Sequence, residues 1–321
     1  MLSWCRIKRC IYSTVLDMSE PPPSLQSPVS VVCHDAGAAN LVFAWLREWA
    51  EAGLLDQHEF RLLLQGPAQK AWQLEPVSLP NMQLHYELSS ALVGCQSVLA
   101  GTGWASSLEH DARRLASTLE IPSISVIDHW VNYEQRFERE GLVVLPNQIW
   151  VSDPYAENLA KSLFKSTPVL SLPNLYVQNL IKDIPPVPQG CRNLLYVLEP
   201  LRTDWGRGVP GEFQALDYFV DYLPKIIGSE SVKIFLRPHP SDPPDKYNEW
   251  INAHTYLNIQ LNGRISLKEA ITQVRWVVGA ETFAMVVGSA AGRETYSSLP
   301  PWGGEFNLPI EKIIELRSLI L

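Results

Sequence analysis

A chain of 321 residues, 46% of them apolar and 19% charged, carries enough core material for two globular domains. Its formal net charge of −8 works against a broad basic face, so a nucleic-acid partner is not expected, whereas a local Arg/His pocket for one phosphate is compatible with it. Five scattered cysteines, an odd number with no C-x-x-C pair, argue against a disulfide framework or a structural zinc and for a reducing, cytoplasmic compartment.

Residues 1–27 read as a poorly ordered leader: Arg6, Lys8 and Arg9 precede an apolar stretch broken by Tyr12, Ser13 and Thr14, and Pro21-Pro22-Pro23 follows. No run of about 18 apolar residues occurs, so no membrane span is expected. Peripheral contact with the inner face of a membrane is compatible with the sequence.

From Pro28 onward, strand and helix patterns alternate. Strands are expected at Val29–Cys33, Phe60–Leu64, Met82–Tyr86, Ser97–Ala100, Ser123–Ile127, Gln148–Val151 and Pro168–Leu172. Helices are expected at Ala38–Ala52, Ser106–Leu119 and from Pro154 to Leu163. Three prolines and a glycine make 181–192 the expected linker. The pattern then restarts, with strands at Leu194–Leu198, Val232–Leu236, Leu257–Leu261, Trp276–Val278 and Glu294–Ser298. Helices are expected at Glu212–Leu223, Leu267–Val274, from Glu281-Thr282, and at Ile310–Ile320. Such alternation implies mainly parallel sheets with helices on both faces. The fold class expected is α/β: two Rossmann-like, doubly wound domains, 28–180 and 193–321, facing across a cleft.

Ligand groups in such sheets gather at the carboxyl ends of the strands. The first strand runs into His34-Asp35-Ala36-Gly37. Asp35 either caps the helix that follows or reaches a ligand, and His34 shares that edge. Gly101-Thr102-Gly103-Trp104 follows a later strand, and its glycines allow close approach by a ligand. Ser106 and Glu109 have capping-box spacing, and Glu109, His110 and Asp111 read as a solvated helix face, with a catalytic carboxylate among them as the alternative. Asp128-His129-Trp130-Val131-Asn132-Tyr133, with Arg136, packs polar and aromatic groups just past a strand, a mixture suited to a sugar. An Asp–His pair there can act as general base on a hydroxyl.

In the second half, Arg202 and Arg207 follow the first strand, and each suits either a phosphate or the surface. Arg237-Pro238-His239-Pro240 sets a cationic fork and an imidazole on a rigid strand end, which suits a phosphate. Gly279-Ala280 and the helix start at Glu281-Thr282 form a strand–turn–helix socket, where backbone N–H groups favour an anion. Glu281 can instead hold a ribose diol or cap its helix. Ser298 lies at the next strand end. No H-E-x-x-H, D-x-D, G-x-S-x-G or phosphate-loop motif occurs, so neither a metal nor a cofactor is expected.

The two-half layout, Arg237-Pro238-His239-Pro240, and Gly279-Ala280-Glu281-Thr282 followed by Ser297-Ser298-Leu299-Pro300 resemble glycosyltransferases of the GT-B fold. His239-Pro240 is similar to the "HP" pair of sialyltransferases, polysialyltransferases and Kdo transferases, where it implies contact with the phosphate of a CMP-sugar. Gly101–Trp104 and Asp128–Arg136 more faintly resemble UDP-N-acetylglucosamine 2-epimerases and sugar-nucleotide hydrolases. The resemblance implies a metal-independent glycosyltransferase that moves a sugar from a CMP- or UDP-linked donor to a glycan, a lipid-linked compound or another hydroxyl acceptor. Arg202, Arg237, His239, Gly279, Glu281, Thr282 and Ser298 would hold the donor. His34, Gly103, Trp104, Asn132, Tyr133 and Arg136 would hold the acceptor. Asp35, Asp128 and His129 would be the candidate catalytic groups. A sugar-nucleotide 2-epimerase or hydrolase, or a non-catalytic sugar-nucleotide binder, are the alternatives.

Overall fold

The computed structural model describes residues 18–319 except Arg202 and Arg264. It divides into two compact units, one ending at Tyr176 and the other beginning at Val177.

The first unit begins with β1 (Val29–Cys33), apolar throughout but for Ser30 and buried along its whole length, as a strand covered on both faces must be. It runs directly into α1 (Ala36–Glu51), whose Leu41, Trp45 and Trp49 recur every fourth residue and face the sheet. In order follow β2 (Phe60–Leu64), α2 (Gly66–Leu74), β3 (Met82–Leu84), α3 (Leu88–Leu92), β4 (Ser97–Ala100) and α4 (Leu108–Thr118). Next come β5 (Ser123–Val126), a small antiparallel hairpin of β6 (Glu138–Arg139) and β7 (Leu142–Val143), then β8 (Gln148–Val151), α5 (Pro154–Leu163) and β9 (Val169–Ser171); the division between the units falls inside α6 (Leu175–Ile181). The seven-stranded sheet is wholly parallel, in the order β3-β2-β1-β4-β5-β8-β9. The chain reverses its direction of winding between β1 and β4, which is where a doubly wound sheet opens a crevice.

The second unit repeats the scheme. Its elements are β10 (Asn193–Val197), α7 (Gly211–Ile227), β11 (Lys233–Arg237), α8 (Asn248–Ala253), β12 (Ile259–Leu261), α9 (Leu267–Thr272), β13 (Trp276–Gly279), α10 (Phe283–Ala290), β14 (Glu294–Ser297) and β15 (Ile313–Glu315). The sheet is again parallel, β12-β11-β10-β13-β14-β15, with its reversal between β10 and β13.

Three expectations need correction. The helix expected over Ile310–Ile320 does not form in the described residues of that segment: Ile313–Glu315 pairs beside β14 as an edge strand, and Leu316–Ser318 forms one 3₁₀ turn. The β-branched pair Ile313-Ile314 suits a strand, and an open sheet edge decides it. Residues 18–27, expected to share the leader's disorder, are ordered in the structure. Leu25 is buried in the core, Ser97 Oγ donates to Gln26 O at 2.7 Å, and Ser27 Oγ accepts from Glu59 N at 2.9 Å. Residues 1–17 lie outside the described part. Segment 181–192 belongs to the second unit, tied there by Arg293 Nη2 donating to Pro185 O at 2.9 Å and by the Lys268–Asp183 ion pair at 2.8 Å.

The first core is built on tryptophan. Trp45 and Trp49 stand edge-on to Trp150 at centroid distances of 5.8 and 6.2 Å, and Trp45 Nε1 donates to Pro173 O at 2.8 Å. Trp45→Phe keeps an aromatic ring but leaves that buried carbonyl without its donor. It should cost about 1–3 kcal/mol, read as a lower urea midpoint for the first unit.

Candidate active site

At the reversal point of the first sheet, three carboxyl groups meet around small residues. Asp35 lies two residues past β1 and caps α1, its Oδ2 accepting from Gly37 N at 3.1 Å. Asp128 lies two residues past β5. A Cβ placed on Gly37 would stand 1.8 Å from Asp128 Oδ2 and 3.2 Å from Asp35 Oδ2, so both carboxyls converge on that glycine. Glu109, in the first turn of α4, is wholly buried beneath them; its Oε1 accepts from His34 N at 2.9 Å and from Asp35 N at 3.2 Å. Its Oε2 has no partner.

The electrostatics follow from that crowding. Burial, then the Asp128 charge, raises the Asp35 carboxyl above the ordinary aspartate value. Burial likewise pushes Glu109 up to about 7, against the pull of its two backbone donors. Arg136, itself buried, sets Nη1 2.9 Å from Asp128 Oδ1 and 3.2 Å from Thr102 Oγ1. Arg113 is buried as well and donates to the carbonyls of Gly101, Arg136 and Val144. Arg139 Nη2 donates to Gly103 O at 2.7 Å. Three guanidinium groups thus brace the loop after β4 and the base of the carboxyl cluster.

The expected site residues of this unit fall around the cluster. His34 is half-buried, its ring against Gly66, whose φ of +54° and lack of a Cβ leave room for it. His129 is half-buried; its Nδ1 has no partner, and burial lowers its imidazole. Tyr133 is buried with its hydroxyl unpartnered, and burial, then the Asp153 charge, raises it. Trp130 Nε1 donates to Asp153 Oδ2 at 2.8 Å. Asn132 is exposed in the left-handed region at φ 59°, and Trp104 is 55% exposed beside the loop.

Two readings change. Glu109 and His110 are buried, not a solvated face, because α4 begins under the β1–α1 turn. Ser107, not Ser106, occupies the cap position, and Glu109 turns toward His34 and Asp35 instead of closing a capping box. The glycines at 101 and 103 make room for the protein's own acids: a Cβ there would lie 2.6 Å from Glu109 Oε1 and 2.5 Å from Asp35 Cβ respectively. Of the three polar residues in the first turn of α4, Glu109 is the one that packing brings under the site. Its one sequence signal is its place in the first turn of a helix that opens at a sheet edge.

In the second unit, register aligns the expected groups on one row: Arg237 pairs with Val197, Val197 with Gly279, and Gly279 with Ser297. Arg237 is half-buried, and its Nη1 donates to Ile265 O at 2.6 Å. His239 is exposed; its Nδ1 accepts from Ser241 N at 3.2 Å and lies 2.7 Å from Ser241 Oγ. An Nδ1 that accepts an amide hydrogen leaves the neutral ring's proton on Nε2, a tautomer assigned from that network.

The Gly279–Thr282 turn is already partly occupied. Glu199 Oε1 accepts from Glu281 N at 2.5 Å, Thr282 Oγ1 accepts from Ala284 N at 3.4 Å, and Glu281 Oε1 accepts from Asn307 N. Burial pushes Glu199 up to about 7, with the Glu281 charge adding to it. The amides of this socket that the structure pairs therefore meet internal acceptors. Gly279 is required by packing, since a Cβ would stand 2.8 Å from Val197 Cγ2. Ser298 is buried, its Oγ 2.8 Å from Tyr196 OH. Arg202 lies outside the described residues, whereas Arg207 is exposed and stacks 3.9 Å over the Trp302 ring. Among the described residues no group of three or more His, Cys, Asp or Glu is placed to hold a metal ion, and no helix is long and apolar enough to cross a membrane.

No protein-family profile and no curated protein sequence matches the chain. Solved structures do. A UDP-GlcNAc 2-epimerase from Methanocaldococcus jannaschii superposes with a TM-score of 0.58 at 10% identity, over 84% of this chain and 83% of that one. The chain has the GT-B fold. MnaA from S. aureus, solved with UDP, gives 0.58 at 10% identity over 85% and 79%. HepE from Anabaena, in complex with UDP, gives 0.51 at 10% identity over 86% and 81%. At such identity the likeness is one of fold.

The pH dependence of stability tests the buried acid. A Glu109 held at about 7 when folded, against an ordinary 4.5, stabilises the folded chain fully below 4.5 and loses that contribution as pH rises through 7. Glu109→Gln keeps an acceptor for both amides and cannot ionise. Its stability relative to the parent should therefore rise by about 3 kcal/mol between pH 4.5 and 8, read by urea unfolding at several pH values. A constant difference would place Glu109 at its ordinary value.

Proposed function

We propose that the protein is a metal-independent enzyme of nucleotide-sugar chemistry, most specifically a glycosyltransferase. The observation that carries this reading is the pair Asp35 and Asp128, converging on Gly37 at the reversal point of the first sheet, one raised and the other braced by Arg136. A carboxylate of raised pKa is a stronger base, and it suits removal of a proton from an acceptor hydroxyl. Trp104 supplies the ring face and His129 the imidazole from which an acceptor subsite is built. The MnaA and HepE structures were solved with UDP, and the resemblance of His239-Pro240 to phosphate-binding pairs points the same way for the second unit.

In this reading the nucleotide's phosphate meets the Arg237 guanidinium and the His239 Nε2–H. As the sugar's anomeric bond breaks, its electron pair stays with the phosphate oxygen, and fixed donors there lower the barrier. The acceptor oxygen forms the new bond while its proton passes to Asp35 or Asp128. Glu281 and Thr282 are proposed on the ribose side, and CMP and UDP donors are both candidates.

A second reading is supported by the same pair. Two carboxyls at one spot can take a proton from a sugar carbon and return it, which is the proton handling a 2-epimerase needs without any acceptor. The neighbour from Methanocaldococcus jannaschii is a UDP-GlcNAc 2-epimerase, which favours this reading. Proton NMR of purified protein with UDP-GlcNAc alone, and with a panel of CMP- and UDP-sugars plus acceptors, separates the two. The first reading predicts product only when an acceptor is present.

Whichever donor is turned over, Asp128→Asn should lower kcat about 10²–10⁴-fold, and His239→Ala about 10²–10³-fold. Unchanged turnover in either variant would misplace that group.

A further inference from the structure

His239 is exposed, yet the loop that carries it is tied to the core. Its backbone N–H donates to Asp242 Oδ2 at 2.9 Å, an oxygen that also accepts from Tyr247 OH at 3.0 Å. The other oxygen of Asp242 lies 2.7 Å from Lys246 Nζ, and Nζ lies 2.6 Å from Glu212 Oε1 in the first turn of α7. These are not surface pairs: the side chains of Asp242, Glu212 and Lys246 are only 2%, 7% and 19% exposed. Tyr247 is buried among them, its ring 5.3 Å from Nζ.

One ammonium between two buried carboxylates does two things at once. It neutralises charges that would be costly to bury alone. It also links the turn after β11 to the helix that follows β10, so the His239–Asp242 turn cannot drift from the sheet edge. Within that turn, Asp242 N donates to His239 O at 2.9 Å, and Ser241 N reaches His239 Nδ1. The imidazole's tautomer therefore depends on a turn whose shape Asp242 and Lys246 fix.

We propose that Lys246, acting through Asp242, is a positioning residue for His239: it holds the turn in which Nδ1 is an acceptor and Nε2–H faces outward as a donor to an anionic oxygen. The role given to that donor rests on the functional reading above, whereas the control of the turn does not.

The experiment is Lys246→Met, with Lys246→Arg as the conservative variant that restores the charge. The first readout needs no ligand. Long-range ¹H–¹⁵N spectra of the His239 ring report the tautomer directly. The parent should show the Nε2–H form, Lys246→Met a mixture of both tautomers, and Lys246→Arg a return toward the parent. The second readout is affinity for UDP and for CMP by calorimetry, expected to fall at least tenfold in Lys246→Met and to recover in Lys246→Arg. If Lys246→Met does not fold, Glu212→Gln combined with Lys246→Met removes one of the two stranded charges and is read the same way. A tautomer unchanged from the parent in whichever of these variants folds would overturn the proposal. A changed tautomer in a protein whose parent binds neither nucleotide would uphold the positioning role and count against the functional reading instead.

Discussion

A glutamate under a strand-to-helix turn, wholly buried in the first unit and half-buried in the second, is the contact on which each half of this molecule depends. In the first unit Glu109 accepts the amides of His34 and Asp35; in the second Glu199 accepts the amide of Glu281. A turn of this kind presents backbone N–H groups to whatever anion arrives. Here the chain supplies its own anions, and burial raises both toward neutrality, to about 7. The turns are thereby shaped before any ligand binds, and Asp35 on the one side and Glu281 on the other are set at the reversal points of their sheets.

That constraint orders the rest. With Glu109 filling the space under β1, Gly101 and Gly103 must be small, and Gly37 must be small for Asp128. Arg113 and Arg136 cannot reach water and instead satisfy the loop carbonyls and Asp128. Acids, glycines and arginines form one interlocked set: Arg136 pairs with Asp128, while burial drives Glu109 and Asp35 toward their neutral forms, which is how a carboxyl cluster persists in an interior. The second unit has a different economy: its cations, Arg237 and His239, stand at the rim, and their placement comes from hydrogen bonds to Ile265 O and to the Ser241–Asp242 turn.

Much of the fold was legible in the chain. Runs such as Val29–Cys33, Phe60–Leu64 and Gln148–Val151 are strands to the residue, because strands covered on both faces are mostly apolar, with Ser30, Arg61 and Gln148 the exceptions in these three. The carboxyl-end placement of Asp35, Asp128, Arg237 and His239 follows from the same alternation. Glu109 was not legible, since Glu-His-Asp in the first turn of a helix looks like a polar face, and only the packing of α4 beneath β1 shows that it is not. Glu199 was hidden for a related reason: its partner amide is 82 residues away. The C-terminal segment was misread because Ile310–Ile320 carries spacing that suits a helix, while the open edge of β14 offers pairing that local pattern does not encode.

In the proposed function the rim of the second sheet, at Arg237 and His239, receives the phosphate of a nucleotide. Thermal unfolding of the intact chain against CMP, CDP, UDP and GDP tests it most directly. A nucleotide that binds the folded chain raises stability by mass action, about 2.7 kcal/mol at a hundredfold excess over Kd. A saturable rise in Tm with a cytidine or uridine nucleotide, absent in Arg237→Ala, is the expected result. No shift with any of the four, or a shift that Arg237→Ala leaves intact, would contradict it.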